Sequence, residues 1–204
     1  MITRSSRKGR PFRAESDTRQ RVTVVECINT RGESIPPLII FRGKLLQDQW
    51  YDSIPETWAI VVSDKGWTSN QIGYKWLERF DKYTANITHG KYRLLIFDGH
   101  GSHATPEFFD YCKNHDIIPL CLPAHCSYVL QPLDVGCFFP IKKLYSNALQ
   151  DYMRHSRTVS KVDFLNCYQQ ARKALSKKNI ESSFRATGIS PLKGQAALSK
   201  LTRI

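Results

Sequence analysis

A short apolar run that stops at an aspartate constrains the fold more than any other feature. Residues 94–97 read Leu-Leu-Ile-Phe, and Asp98-Gly99 follows at once. A continuous apolar run of this length, closed by a turn signal, is typical of a strand buried in the centre of an α/β sheet. We therefore predict that Asp98 lies at the carboxyl end of that strand, where such sheets bind their ligands.

The rest of the chain alternates between strand and helix patterns. Four further segments have the short, β-branched or apolar composition of strands: residues 22–28, 38–41, 59–62 and 117–122. Five segments combine helical spacing with a start signal: those beginning at Ser69, Thr105, Pro132, Ser160 and near Ile180. This order predicts an α/β fold in which helices flank a mixed sheet and further helices follow at the C-terminal end. We expect a kink in the helix from Pro132, because Gly136 and Pro140 interrupt its first turns.

Basic residues are concentrated at the two ends of the chain. The formal charge is +12 over 204 residues, with +5 in residues 1–21, −3 in residues 22–141 and +10 in residues 142–204. This distribution predicts a polyanionic partner, most simply nucleic acid, although a solvated helix surface fits the charge equally well. The basic residues predicted to contact phosphate are Lys142, Lys143, Arg154, Arg157 and Lys161. No apolar run approaches the roughly 18–20 residues of a membrane span, so we predict no membrane partner.

Two aspartates are candidates for a metal site. Asp98 ends a strand and Asp134 begins a helix, so the two carboxylates can converge on one divalent cation. Two such cations about 3.5–4 Å apart can drive phosphodiester chemistry. Each aspartate also fits an ordinary role, Asp98 in a turn and Asp134 beside the positive end of a helix dipole.

Three strings of the sequence resemble motifs of one family, the pogo-like branch of mariner-type transposases. Residues 94–103 resemble its second-aspartate motif. Residues 122–136, which contain a proline-rich turn, a serine and Leu-Gln-Pro-Leu-Asp, resemble its third-aspartate motif. Residues 184–192 resemble its closing motif, so the resemblance covers roughly residues 20–192.

This resemblance implies a ribonuclease H-like fold with a DDE-type endonuclease site, where three acids bind two Mg²⁺ or Mn²⁺ ions. Asp98 and Asp134 match the second and third acids, as catalytic metal ligands. His103 resembles the family's histidine a few residues after the second acid. Two roles fit it equally well: orienting phosphate or metal-bound water, or a hydrogen bond to backbone at the approach to a helix. The resemblance also implies DNA as partner and a nuclear location, and it is compatible with a homodimer.

The sequence departs from the family pattern at the first acid. That acid belongs to an Asp-Glu pair on a strand upstream of the segment matching residues 22–28, and no such pair precedes residue 22. We therefore expect the first strand to be missing, the metal to bind weakly and strand cleavage to be slight. The expected parts are a basic segment (1–21), a partial DDE domain (22–192) and a basic tail (193–204).

Two functions fit these expectations. One is a transposase-derived, endonuclease-like domain whose ancestral activity, metal-dependent cleavage and transfer of DNA strands, is impaired. The alternative is a domesticated module without catalysis that binds DNA or another protein.

Overall fold

The strands form two separate sheets in the part of the chain that the computed structural model describes, residues 21–98, 105–156 and 158–201. The strands are β1 (Val22–Val25), β2 (Leu38–Arg42), β3 (Ala59–Ser63), β4 (Arg93–Phe97) and β5 (Ile117–Cys121). β1 and β2 form an antiparallel hairpin, and β3 adds to β2 in parallel. β4 and β5 form a separate parallel pair. The first sheet is therefore mixed, as the sequence predicts.

Helices follow the strands in the predicted order. They are α1 (Asn70–Thr84), α2 (Pro106–Asn114), α3 (Ser127–Leu130), α4 (Phe138–Met153), α5 (Lys161–Ala171), α6 (Lys177–Thr187) and α7 (Gly194–Leu201). Single 3₁₀ turns lie at Asp48–Trp50, Ala85–Ile87 and Arg172–Ala174. The predicted caps are present, since the Ser69 and Thr105 side chains accept from the helix backbone and Ser160 forms a capping box with Asp163. The α/β class and the C-terminal helices are confirmed.

Strand β2 divides the core into two halves. Residues 38–41 are at most 2% exposed, and successive side chains point to opposite faces. Leu38 and Ile40 pack with α1 and α2, whereas Ile39 and Phe41 pack with α4 and α5. Burial on both faces explains why this strand is a continuous apolar run.

The α1–α2 layer holds the two sheets side by side. Leu95 of β4 and Ile117 of β5 belong to the same buried cluster as Ile40 of β2. The opposite face of the β4–β5 pair is open, with Leu94 56% and Ile118 48% exposed. The expectation that residues 94–97 are buried on both faces is therefore wrong for that face, because α4 and α5 pack over β2 and β3 instead.

A buried ion pair ties the C-terminal helices to the end of β1. The Glu26 side chain is fully buried, and its Oε1 accepts from Tyr168 Oη at 2.6 Å and from Arg172 Nε at 2.8 Å. Arg172 Nη2 donates to Glu26 Oε2 at 3.1 Å and to the Ile35 carbonyl at 2.7 Å. Residues 146 positions apart in sequence are thus fixed together by charge-assisted bonds.

Where the sequence predicts a kink, the structure has a π-helical segment, Leu133–Cys137, that continues directly into α4. Gly136 sits where this segment meets α6, and a Cβ at this position would lie 2.6 Å from Ser183 Cβ and 3.2 Å from its Cα. The missing side chain therefore permits the close approach of the two helices. Such π-helical turns occur frequently at functional sites.

We expect Glu26→Gln to lower the free energy of unfolding by about 3 kcal/mol, because it leaves the Arg172 guanidinium without its counter-ion in a buried site. Urea titration measures the change. Glu33→Gln is the matched control, since Glu33 pairs with Arg31 at the exposed surface and its loss should cost much less than the loss of Glu26. Equal losses in the two variants would contradict the assigned role of Glu26.

Gly136→Ala should also destabilise the protein, by about 1–3 kcal/mol, because the added methyl group meets the backbone of α6. Gly90→Ala is the control, since a Cβ there has nothing within 4 Å. Thermal unfolding followed by circular dichroism compares the two. A Gly136→Ala protein as stable as the wild type would show that the contact between these helices is not tight.

Candidate metal and nucleic-acid site

A cavity of about 980 Å³ separates the two sheets. The β1 strand and its continuation through Glu26 form one wall, and β4 with Asp98 forms the other. Residues 131–134 line the same cavity, which brings the start of the π-helical segment to the end of β4. The cavity thus runs along β4 and includes its carboxyl end, where the sequence predicts the site.

Both walls of the cavity are strand edges whose backbone groups point inward. Arg21 O accepts from Arg42 N, so alternate residues from 21 onward pair with β2, and Val22, Val24 and Glu26 turn their amide and carbonyl groups away from it. The other wall repeats this pattern. Arg93 and Phe97 bond to the β5 side, so residues 94, 96 and 98 turn theirs away from β5. No strand in the described part of the chain pairs with either edge.

Asp98 and Asp134 line this cavity together. Desolvation raises the pKa of Asp134, and the Asp98 carboxylate raises it further, whereas a hydrogen bond from Ser127 and the charge of Lys142 lower it. Both carboxylates thus line one cavity, and each lies within the electrostatic range of the other. A strand-end acid and a helix-start acid, 36 positions apart in sequence, therefore meet in space.

The local sequence explains how Asp134 reaches this position. Pro132 directly precedes the π-helical segment and takes helical dihedral angles, as proline does readily at a helix start. Asp134 lies in the first turn, where the helix dipole favours a carboxylate. Ser127 opens α3, and its hydroxyl is bonded to Asp134 across the Leu130-Gln131 corner. Ser127 is the serine of the third-aspartate motif, but the sequence alone does not indicate this contact with Asp134.

The chemistry of the two carboxylates fits a hard divalent cation. Mg²⁺ takes oxygen ligands and is usually held by one or two carboxylates together with water and substrate phosphate. Among the residues the structure describes, no group of three or more His, Cys, Asp or Glu could hold a metal. Glu26 also lines the cavity, but Tyr168 and Arg172 already bond both of its oxygens.

The predicted phosphate-binding residues lie in different environments. Lys142 is exposed and acts electrostatically on Asp134, which places it beside the acidic pair. Lys143 is exposed, and Arg154 pairs with Asp151 at 3.4 Å on an exposed surface. Lys161 donates to the Arg42 carbonyl at 3.0 Å. Its ammonium also lies 4.6 Å from the Trp50 ring centroid. This lysine therefore stabilises the end of β2.

Two of the predicted site residues cannot be placed. His103 and Arg157 lie outside the described residues, as do all residues of the second-aspartate motif after Asp98. Across the described ranges, no helix is both long and apolar enough to cross a membrane.

Comparison with known proteins agrees with the motifs. The family model for DDE superfamily endonuclease matches residues 18–184. The chain is 43% identical over 203 residues to a protein of Cochliobolus lunatus named MFS-type transporter clz9, covering 98% of this chain and 22% of that protein. It is 28% identical over 113 residues to the human pogo transposable element with ZNF domain, covering 55% of this chain and 8% of that protein.

A third relative, the mouse pogo transposable element with KRAB domain, is 26% identical over 133 residues, covering 63% of this chain and 21% of that protein. The chain thus spans about a fifth or less of the length of each of these relatives. No solved structure gives a significant match. The family match covers most of the chain, and the chain belongs to the DDE superfamily endonuclease family.

Proposed function

We propose that this domain holds Mg²⁺ or Mn²⁺ between Asp98 and Asp134 and acts on the phosphodiester backbone of DNA. The observation that carries the proposal is the pairing of the two carboxylates at the end of β4, where burial and the charge of Asp98 disfavour ionisation of Asp134. A buried or crowded pair of acids is costly unless a cation neutralises it. When bound, the cation supplies Lewis-acid stabilisation of charge on a phosphate oxygen.

The residues of this chain perform the remaining tasks in the proposed site. Asp98 and Asp134 supply the oxygen ligands, and the Ser127 hydroxyl fixes the orientation of the Asp134 carboxylate. Lys142, beside Asp134, is suited to hold a phosphate of the DNA strand near the acids. His103 remains a proposal as an auxiliary group. The family and the pogo-type relatives also support a nuclear site of action.

A third carboxylate is the part of the site that the described residues do not contribute. The family resemblance assigns it to a strand beside the segment matching β1. The facing edges of β1 and β4, whose amide and carbonyl groups have no strand partner in the described residues, are where such a strand would pair. Two carboxylates bind Mg²⁺ more weakly than three, so we expect weak affinity from Asp98 and Asp134 alone.

A second function, DNA or protein binding without catalysis, is favoured by one observation. Glu26 also lines the cavity, but its ion pair with Arg172 keeps it from acting as a third metal ligand. A domain with this site would keep its fold and its basic surface. It would show no response to a divalent cation.

We expect Mn²⁺ to raise the midpoint of thermal unfolding of the wild-type protein, because a ligand that binds only the folded state stabilises it. At roughly five times the dissociation constant the gain is about 1 kcal/mol, or roughly 2–4 °C for a domain of this size. Asp98→Asn and Asp134→Asn should each remove the rise and any Mn²⁺-dependent nicking of supercoiled DNA. Asp110→Asn, an exposed aspartate of α2 outside the cavity, should retain both.

The results separate the two functions. A cooperative transition that Mn²⁺ does not shift would favour the non-catalytic module. A rise that persists in both Asn variants would show that the cation binds elsewhere.

Stability without metal should depend on pH in a direction set by Asp134. Its pKa is raised in the folded state, so its contribution to stability is present below the unfolded value of about 3.9 and is lost as pH rises through the folded value. In EDTA at neutral pH, Asp134→Asn should therefore be at least as stable as the wild type. The difference in unfolding free energy between the variant and the wild type should shrink toward about pH 4. Urea titrations across this pH range measure it. A variant whose deficit grows as pH rises would contradict the raised pKa.

A further inference from the structure

We propose that a second groove, beside the acidic cavity, binds the phosphate backbone of the DNA strand that reaches Asp98 and Asp134. The inference rests on the proposed function, because it extends the path of the same substrate. The groove has a volume of about 620 Å³ and lies at the carboxyl ends of β2 and β3, where these parallel strands meet the start of α1. Carboxyl ends of parallel strands are a common location for ligands in α/β proteins.

Three exposed lysines give the groove its charge. Lys44 follows β2, Lys65 follows β3, and Lys75 lies in the second turn of α1. Asp64 is the one acid among the groove's described lining residues, which leaves a net charge of +2. None of the three lysines has an ion pair within the described part of the chain. Cations that lack internal counter-ions are those that can neutralise phosphates.

The start of α1 adds donors to the same wall. Ser69 caps this 15-residue helix, and its first turn contains no acidic residue to offset the positive end of the helix dipole. Ser63, Ser69 and Gln71 line the groove and carry polar side chains of the kind that contact phosphate and sugar. The lysines and the helix start thus present positive charge to one groove.

The framework of the groove is fixed by close packing. Gly66 has φ +70°, and a Cβ there would lie 3.0 Å from the Arg21 carbonyl, so the turn after β3 requires glycine. At the end of β2, the Lys161 ammonium donates a hydrogen bond to the Arg42 carbonyl. A Cβ at Gly43 would lie 3.6 Å from the same ammonium. A preformed groove lowers the entropic cost of ordering the protein when it binds a ligand.

The groove adjoins the acidic cavity. Trp67 and Thr68 line both, so they form a shared ridge between the lysines and the aspartates. The Arg21 guanidinium lies 4.4 Å from the Trp67 ring centroid, which adds a further positive charge at this ridge. A strand whose scissile phosphate lies at Asp98 and Asp134 can therefore continue across the ridge with its next phosphates in the groove.

Metal-free binding to fluorescein-labelled single-stranded DNA tests the proposal, with anisotropy measured in EDTA at several salt concentrations. The slope of log K against log salt decreases in magnitude by roughly 0.7 for each phosphate that the protein no longer neutralises. The groove variant replaces three lysines with glutamine: Lys44→Gln, Lys65→Gln and Lys75→Gln. We expect the magnitude of its slope to fall by about 2 relative to the wild type.

A control variant removes the same charge from exposed lysines outside both cavities: Lys82→Gln, Lys91→Gln and Lys113→Gln. The proposal predicts a slope close to the wild-type value for this control. It also predicts a retained slope when the three groove lysines are changed to arginine. Circular dichroism melts establish that each variant is folded.

An equal fall in slope for the groove and control variants would overturn the groove, because only the overall charge would then matter. A groove variant with an unchanged slope, or wild-type binding that does not depend on salt, would overturn it as well. The cation proposal fails separately. If Asp98→Asn leaves both the Mn²⁺ response and the slope unchanged, the metal site is wrong and the groove remains supported.

Discussion

The buried pairing of Glu26 with Arg172 is the constraint on which the rest of the arrangement depends. Glu26 ends the hairpin wall of the cavity, and Arg172 follows α5, so their bonds fix the C-terminal helices against the first sheet. A buried charge without its partner costs several kcal/mol, which means that neither residue can leave this geometry easily. The pairing also removes Glu26 from the set of acids that could hold a metal.

Close packing between α6 and the π-helical segment then fixes the position of Asp134. The C-terminal helices include α6, and α6 meets the π-helical segment at Gly136 with no room for a side chain. Asp134 lies two residues earlier in that segment and lines the same cavity as Asp98. Burial and the charge of Asp98 raise the pKa of Asp134, and a cation would remove that cost. The packing around the π-helical segment therefore keeps Asp134 in a position where its ionised form is unfavourable.

Basic residues show why charge in sequence is a poor guide to binding. The C-terminal helices are the most basic part of the chain, yet Lys161 is bonded to backbone and Arg154 pairs with Asp151. Lys44, Lys65 and Lys75 lie in the middle region, whose net charge is −3, but folding gathers them around one groove. The charge that a ligand meets is set by which residues share a surface, not by the sum over a segment.

The sequence by itself determined the local elements and singled out two acids that line one cavity. Apolar periodicity, capping residues and the aspartate motifs predicted the strands, the helix starts and the positions of Asp98 and Asp134, because these signals act over a few neighbouring residues. Only the tertiary structure decided that one face of β4 is exposed to solvent, that Ser127 bonds to Asp134 and that Glu26 forms an ion pair with Arg172. These outcomes depend on contacts between residues distant in sequence, and no local pattern encodes which distant partner will fill a given space.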